Sequence, residues 1–241
     1  MIALLCSVPF EAETILASME KKEPLIIGST MFYRGMLAGS EIALCAGGMG
    51  KVNAAHAASI LMTRYAPEAL IVFGIGGAYP SSNARVGDIA LASEELSGDD
   101  GVVTQDGFKD TGFIGIPLVQ TDTARFFNRI PAHANLLGDA RGMLSAPHFH
   151  GNVHAGKFIT VSTCTGTTSR ASELEERYHA LCENMEGFAA AQVAELHHVP
   201  WLEVRGISNR VEDRDLEQWD IPKAAAAVQS AVIRLLTGWK P

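Results

Sequence analysis

Residues 181–215 read LCENMEGFAAAQVAELHHVPWLEVRGISNRVEDRD, and this stretch contains both a helical and a strand pattern. Glu186–His197 is so rich in Ala, Val, Leu and Phe that it predicts a helix buried on most of its sides. Pro200–Ile207 is short, β-branched and aromatic, and it predicts a buried strand. Because an unpaired charge is unfavourable to bury, we expect the polar residues in these surroundings to pair or to bind a ligand. They are Glu183, Asn184, Glu186, Glu203, Arg205 and Asn209.

Strand and helix patterns alternate along the rest of the chain. Apolar runs predict strands at residues 2–6 and 69–73, and alanine-rich or amphipathic segments predict helices at residues 52–65 and 221–236. This alternation predicts an α/β fold with three α/β/α layers around a central mixed, twisted sheet. Since the sequence contains no repeat, low-complexity tract or linker-like segment, we expect a single domain over residues 1–241.

Other segments have weaker patterns. We predict one helix at Asp122–Ile130, another at Ser169–Leu181, and a glycine-bearing loop or lid at Ser97–Gly112. Residues 25–37 and 41–46 are expected to form a hairpin pair, because glycines typical of turns lie in and between them.

The composition excludes several classes of protein. Of the 241 residues, 47% are hydrophobic and 19% are charged, as in ordinary folded proteins. The net charge of −8 argues against binding to nucleic acid or to an acidic membrane. The longest apolar run is too short to span a bilayer, and the N-terminal MIALLC has no basic leader, so we expect a cytoplasmic protein. Cys6, Cys45 and Cys182 lie in apolar runs and are expected to be buried free thiols.

Two glycine-rich segments match nucleotide-binding motifs only in part. In GGMGK (residues 47–51), Cys45 stands where the Walker motif needs its first glycine and Val52 follows the lysine, so we reject a phosphate loop. GIGGA (residues 74–78) lacks the third glycine of a dinucleotide fingerprint. It indicates either a tight turn or a close approach of the backbone to a bulky group.

The histidines do not predict a metal site. His148, His150 and His154 have a spacing that could hold a metal ion, but they lie in a loop without an acidic or thiol companion. His197 and His198 are explained by the end of a helix, where histidine is favourable.

Polar residues follow the ends of several predicted strands. Glu11 and Glu186 each come shortly after such an end, and Arg205, Ser208 and Asn209 lie at another. Either carboxylate could simply stabilise the first turn of a helix through the helix dipole. Because the carboxyl ends of parallel strands meet at one edge of a sheet, we instead expect these groups and the GIGGA glycines to face one cleft.

Six segments, in order along almost the whole chain, resemble one family. They are MIALLCSVPFEAE (1–13), GGMGKVNAA (47–55), FGIGGA (73–78), VGDIA (86–90), NMEGFAAAQVA (184–194) and VPWLEVRGISN (199–209). Together they resemble the nucleoside phosphorylase and nucleosidase superfamily, in particular the branch that cleaves methylthioadenosine and S-adenosylhomocysteine. Within that group, RGISNRVEDRDLEQWDIPKA (205–224) is most similar to the futalosine hydrolases, nucleosidases of the menaquinone pathway. The resemblance implies a nucleoside phosphorylase-like fold.

The resemblance also implies a reaction, in which water cleaves the N-glycosidic bond between a ribose and a purine. The transition state has an oxocarbenium-like sugar, and negative charge grows on the leaving base. Glu11 would orient and deprotonate the water, Glu186 would bind ribose hydroxyls, and Asn209 would donate a hydrogen bond to purine N7. Further substrate contacts are implied at Met49, Gly76, Gly77, Thr165, Gly166, Asn184, Met185, Arg205 and Ser208.

Two features depart from the adenine-specific branch. That branch has an aspartic acid facing N7, whereas the carboxamide of Asn209 can donate a hydrogen bond but cannot transfer a proton. A 6-oxopurine such as hypoxanthine carries the developing charge better than adenine, so hypoxanthine is the expected leaving base. The second departure is the loop Thr163–Thr167, which lacks the aromatic residue that stacks on adenine in that branch.

We therefore expect a futalosine hydrolase-type enzyme that needs no cofactor and no metal. Its partners would be a small-molecule nucleoside and water, and the family implies a homo-oligomer of two or more chains. The segment Arg210–Trp219 or the loop at residues 97–112 would form a pocket for the aryl carboxylate of futalosine. The alternatives are an adenine nucleosidase acting on methylthioadenosine or S-adenosylhomocysteine, and a nucleoside-binding protein without catalysis.

Overall fold

The computed structural model describes residues 1–145, 149 and 151–238. Within these residues the strands, in chain order, are β1 (Ile2–Cys6), β2 (Glu20–Ile27), β3 (Thr30–Leu37), β4 (Ser40–Ala46), β5 (Ala69–Ala78), β6 (Ile89–Ser97), β7 (Gly101–Thr104), β8 (Gly107–Asp110), β9 (Val119–Gln120), β10 (Arg125–Phe126), β11 (Arg129–Pro131), β12 (Val153–Thr160), β13 (Cys182–Asn184) and β14 (Trp201–Arg210). The helices are α1 (Glu13–Ser18), α2 (Lys51–Tyr65), α3 (Thr111–Ile114), α4 (Ala134–Leu144), α5 (Thr168–Tyr178), α6 (Gly187–Leu196) and α7 (Ile221–Gly238). Short 3₁₀ turns occupy Pro9–Ala12, Pro80–Ser82 and Leu216–Gln218.

One large sheet contains most of the strands. Its order is β11-β6-β12-β13-β5-β1-β4-β3-β2, and β14 pairs with both β5 and β6. Since β12 and β13 connect β6 to β5 by the other route, these strands and β14 close into a ring. β14 runs parallel to β5 and antiparallel to β6, so the predicted mixed sheet is confirmed.

Helices cover both faces of this sheet. Along β5, Leu70 and Val72 pack on the side of α2 and α6, whereas Ile71 and Phe73 pack on the side of α1, α4 and α7. The alternation follows from the two-residue period of a strand, which sends neighbouring side chains to opposite faces. The predicted α/β/α layers are therefore confirmed.

The helix and strand predicted within residues 181–215 are both buried in the molecule. α6 is buried at most of its positions and packs against α2. β14 is buried at every residue from Trp201 to Asn209, with β5 and β6 on its two sides and α7 over it. The predicted helix and strand are both present, but the strand extends three residues past the predicted end at Ile207 to Arg210.

The prediction of a helix at Asp122–Ile130 is wrong. This segment contains β10 and the first part of β11, where Ile130 is fully buried and pairs with Glu95 of β6. Pairing with the sheet edge overrides the local pattern, and the helix of this region is α4, which follows it.

Three further predicted segments differ from the structure in their bounds or in the elements that they contain. The helix predicted at Ser169–Leu181 ends at Tyr178, because His179 adopts a left-handed conformation with φ of 50° and β13 then begins. The loop predicted at Ser97–Gly112 contains the hairpin of β7 and β8. The segment 25–37 divides into β2 and β3 at Gly28, whose φ is +63°.

The cysteines and histidines are placed as follows. Cys6, Cys45 and Cys182 are buried, as predicted, and Cys164 is exposed. His154 contacts Asp88 at 3.0 Å, whereas His148 and His150 lie outside the described residues. In the described part of the chain we find no group of three or more potential metal ligands. No helix among the same residues is long and apolar enough to cross a membrane.

Candidate active site

A cavity of about 290 Å³ opens where β1, β5, β13 and β14 lie side by side. All the predicted site residues except Gly166 line it. They are Glu11, Met49, Gly76, Gly77, Thr165, Asn184, Met185, Glu186, Arg205, Ser208 and Asn209. The fold thus brings together side chains that are far apart in the sequence.

Glu11 is held in place by backbone N–H groups from two elements. Its Oε2 accepts hydrogen bonds from Ser7 N at 2.9 Å and Val8 N at 3.1 Å, and its Oε1 accepts one from Ile75 N at 2.8 Å. Burial raises the pKa of Glu11, although the charge of Arg205 and these backbone donors oppose the shift. A fixed carboxylate with a raised pKa is suited to take a proton from water.

Glu186 is fixed by a backbone donor on one oxygen and a cation on the other. Its Oε1 accepts a hydrogen bond from Gly50 N at 2.9 Å, and its Oε2 lies 3.4 Å from both terminal nitrogens of Arg205. GGMGK therefore contributes to the site through a backbone N–H, which sequence analysis did not predict. Its lysine, Lys51, pairs with Asp99 and Asp100.

Arg205 is the buried cation between the acidic groups. It is 1% exposed, and its Nε donates to Glu203 Oε1 at 2.8 Å while its terminal nitrogens face Glu186. Burial alone would lower the pKa of Arg205, but the charges of Glu203, Glu186 and Glu11 outweigh burial and raise it. The guanidinium therefore stays charged, and its positive charge offsets the repulsion between the carboxylates around it.

A β-bulge directs two consecutive polar side chains into the cavity. Ile207 pairs with Gly76 and Asn209 pairs with Gly77, so Ser208 is the extra residue of β14. Neighbouring residues of a regular strand face opposite sides, whereas a bulge allows both Ser208 and Asn209 to line the cavity. The predicted strand ends at Ile207, whereas both residues lie inside β14.

The amide of Asn209 is oriented by its neighbours. Ser208 Oγ donates to Asn209 Oδ1 at 2.7 Å, and Asn209 Nδ2 donates one N–H to Arg210 O at 2.8 Å. Because an amide nitrogen has two N–H groups, one remains for a ligand in the cavity.

GIGGA forms the last part of β5 and is not a loop. A Cβ on Gly74 would lie 2.6 Å from Glu11 Oε1 and 2.9 Å from Arg205 Nη1, and one on Gly76 would lie 2.5 Å from Cys182 Sγ. The predicted close approach therefore exists, but at these two glycines the bulky groups are the protein's own side chains.

Hydrogen bonds to Glu183 fix the part of the cavity wall that contains Thr165. Thr165 donates its backbone N–H and its hydroxyl to Glu183, at 2.9 and 2.6 Å, and Tyr79 Oη donates to the same carboxylate at 2.8 Å. The Thr165 hydroxyl is therefore engaged with Glu183.

Two aromatic side chains also line the cavity: Phe10, which was not predicted as a site residue, and Trp219, the last residue of the segment expected to extend the pocket. Arg214 lies beside them, with its guanidinium 4.8 Å from the centre of the Trp219 ring. Of the two segments expected to form an extended pocket, Arg210–Trp219 borders this cavity and residues 97–112 do not.

Replacing Gly74 by alanine should destabilise the protein, because the new methyl group would push Glu11 and Arg205 apart. Such overpacking lowers the free energy of unfolding by about 1–3 kcal/mol, which should appear as a lower Tm in thermal denaturation. Gly138→Ala is the control, since that glycine is exposed in α4 with no atom within 4 Å of its Cβ position. It should raise stability by about 0.5–1 kcal/mol. Equal Tm changes in the two variants would contradict the steric role of Gly74.

Comparisons with known proteins identify the family. The model of the phosphorylase superfamily matches residues 1–237. The chain is 36% identical to futalosine hydrolase of Streptomyces coelicolor, over 82% of its own length and 81% of that protein. It is 28% identical to a 5'-methylthioadenosine/S-adenosylhomocysteine nucleosidase of Maridesulfovibrio salexigens, over 92% of this chain and 97% of that one.

The fold is shared with a solved structure. The 5'-methylthioadenosine/S-adenosylhomocysteine nucleosidase of Neisseria meningitidis superposes with a TM-score of 0.85 at 22% identity, over 99% of both chains. The chain therefore belongs to the phosphorylase superfamily and, within it, to the nucleosidases, the hydrolases of N-glycosyl bonds that include the futalosine hydrolases.

Proposed function

We propose that the protein hydrolyses the N-glycosidic bond of futalosine, releasing hypoxanthine and dehypoxanthine futalosine for menaquinone biosynthesis. One observation carries the proposal: the cavity has two buried carboxylates, Glu11 and Glu186, and a carboxamide, Asn209, where an adenine nucleosidase needs an acid. The 36% identity to a futalosine hydrolase supports the same substrate.

Glu11 is the proposed base. Each carboxylate oxygen can accept two hydrogen bonds, so Oε1 can accept one from a water molecule in addition to the one from Ile75 N. As this water attacks the anomeric carbon, Glu11 takes its proton. The negative charges of Glu11 and Glu186 would repel a phosphate dianion, which supports hydrolysis over phosphorolysis.

Glu186 is the proposed ribose-binding acid. Gly50 N and Arg205 hold its carboxylate at the cavity wall, where it can accept hydrogen bonds from sugar hydroxyls. Positive charge develops on the ribose in the transition state, and fixed negative charge beside it lowers the barrier. Met185, the residue before Glu186, also lines the cavity and can pack against the sugar.

Asn209 is the proposed contact to the leaving base. With one N–H donated to Arg210 O, the other can donate to N7 or O6 of hypoxanthine as negative charge grows there. Adenine depends on N7 protonation to leave, and a carboxamide has no proton to transfer. This difference disfavours the adenine nucleosidase, and the intact acidic pair disfavours a protein that only binds nucleosides.

Arg214 and Trp219 are the proposed contacts to the remainder of futalosine. An aromatic ring bearing a carboxylate is complemented by an indole ring with a guanidinium beside it, and these two side chains lie at the cavity.

We also propose that the chain is one nucleoside phosphorylase-like domain that forms a homo-oligomer in the cytoplasm and acts without a cofactor or metal. Met49, which lines the cavity, and Val52, in the first turn of α2, support self-association, because these apolar side chains are 62% and 83% exposed. Sedimentation of the purified protein as a monomer would contradict this.

The substrate is tested by incubating the protein with futalosine, methylthioadenosine or inosine in phosphate-free buffer and identifying the released base by chromatography. Hypoxanthine should be released from futalosine much faster than adenine is released from methylthioadenosine. Faster adenine release would favour the adenine nucleosidase, and binding without release of any base would favour the non-catalytic protein.

Glu11→Gln and Glu186→Gln should each lower kcat by about 10²-fold or more, because the first removes the base and the second removes the negative charge beside the ribose. Glu13→Gln is the matched control, since Glu13 is exposed in α1, two residues from Glu11.

In the wild type, kcat/KM should fall as the pH decreases through a midpoint above 4.5, because protonation of Glu11, whose pKa is raised from 4.5, removes the base. Steady-state kinetics across pH measures both effects, and near-normal turnover in both variants would refute these roles.

Arg214→Gln should raise KM for futalosine about tenfold, equivalent to about 1.4 kcal/mol, through loss of the contact to the aryl carboxylate. Turnover of inosine, which lacks that group, should not change. Arg210→Gln is the control, because Arg210 is exposed and lies outside the cavity. An unchanged KM for futalosine in Arg214→Gln would remove Arg214 from the site.

A further inference from the structure

Behind the cavity, two carboxyl groups are buried against each other. Glu95 of β6 and Glu203 of β14 are both 0% exposed. Gly187, the first residue of α6, faces both of them, since a Cβ there would lie 2.2 Å from Glu203 Oε2 and 2.3 Å from Glu95 Oε1. Because both oxygens lie close to this one point, they also lie near each other, and a proton on one carboxyl group would let the two groups share a hydrogen bond.

The surrounding hydrogen bonds indicate which group carries the proton. Glu203 Oε1 accepts from the charged Arg205 Nε at 2.8 Å, so Glu203 is the partner of a buried cation. Glu95 contacts two neutral donors, Thr160 Oγ1 and Asn184 Nδ2, each at 2.7 Å. Burial raises the pKa of Glu95 well above its usual range, and the charge of Glu203 raises it further.

A proton on Glu95 also resolves an unsatisfied oxygen. Among the described residues, Glu203 Oε2 is the buried side-chain oxygen that has no hydrogen-bond partner. A neutral Glu95 supplies that partner. The site then contains one neutral acid beside the ion pair of Glu203 and Arg205, and two adjacent buried negative charges are avoided.

The pair is connected to Glu186 by two routes. In the first route, Asn184 Nδ2 donates a hydrogen bond to Glu95 Oε1. Asn184 Oδ1 then accepts hydrogen bonds from the backbone N–H of Glu186 at 2.9 Å and of Gly187 at 2.7 Å. Through the second, Glu203 holds Arg205 Nε, and the terminal nitrogens of Arg205 face Glu186 Oε2. The backbone and the carboxylate of Glu186 are thus fixed from the same pair.

We propose that Glu95 and Glu203 share one proton and act together as positioning residues that fix Glu186 for ribose binding. The assignment of ribose binding rests on the proposed function, whereas the shared proton stands on the geometry of the buried pair alone.

Infrared spectroscopy of the full-length protein at pH 8 tests the shared proton without any substrate. Ordinary carboxyl groups are ionised at this pH, so a neutral carboxyl group gives a separate C=O stretching band. The band should be present in the wild type and absent from Glu95→Gln. It should also be absent from Glu203→Gln, whose amide can donate to Glu95 and accept from Arg205, leaving Glu95 ionised. Glu94→Gln, the neighbouring half-buried position on β6, should retain it.

Kinetics on whichever nucleoside the wild type cleaves tests the positioning role. Glu203→Gln preserves the hydrogen bonds and the total charge of the pair, and it should keep kcat/KM within about tenfold of the wild type. Glu203→Leu leaves Arg205 Nε without its acceptor and should lower kcat/KM by about 10²-fold or more, because removing one partner of a buried ion pair strands the other. If Glu203→Leu does not fold, the infrared bands and Glu203→Gln decide.

If the carboxyl C=O band persists in Glu203→Gln, or if Glu95→Gln retains every such band of the wild type, the shared proton is overturned. Wild-type kcat/KM in a folded Glu203→Leu, or an inactive Glu203→Gln with normal Tm, would overturn the positioning role. Absence of futalosine cleavage by the wild type would refute the proposed function and leave the infrared result standing.

Discussion

The charge of Arg205 is the constraint on which the site depends. Its guanidinium is almost completely buried and pairs with Glu186 and Glu203. A buried cation is tolerated only with compensating partners, and buried acids in turn need the cation. This mutual dependence places the proposed ribose-binding acid, Glu186, and a supporting acid, Glu203, around one side chain. The charge of Arg205 also acts on Glu11, on the other side of Gly74, and opposes the rise of its pKa.

The sheet converts this local requirement into a cavity. Because β14 joins β5 and β6 while β12 and β13 connect the same strands, polar side chains from several strands converge at one place. The bulge at Ser208 then directs two consecutive side chains to the same face, which a regular strand could not do. The glycines of β5 keep the space between Glu11, Arg205 and Cys182 free of side chains.

Much of the fold and site could be predicted from the sequence. The apolar patterns of α6 and β14 are strong because both elements are buried on most sides, and such patterns are local. Charged and amide residues in or beside those patterns are exceptional, so Glu186, Arg205 and Asn209 could be chosen as site residues. Glu11 could be chosen because it follows the first strand, and all four line the cavity. The error at Asp122–Ile130 arose where sheet pairing overrode the local pattern.

The sequence by itself determined the layer architecture, the buried helix and strand, and the chemical types of the site residues, because these follow from side-chain periodicity and from the cost of burying charge. Only the tertiary structure decided the contacts between distant segments. Gly50 N donates to Glu186, Phe10 borders the cavity, and Glu95 lies beside Glu203. Such contacts depend on strand order and register, which arise from the packing of the whole chain and leave no periodic signal in the segments themselves.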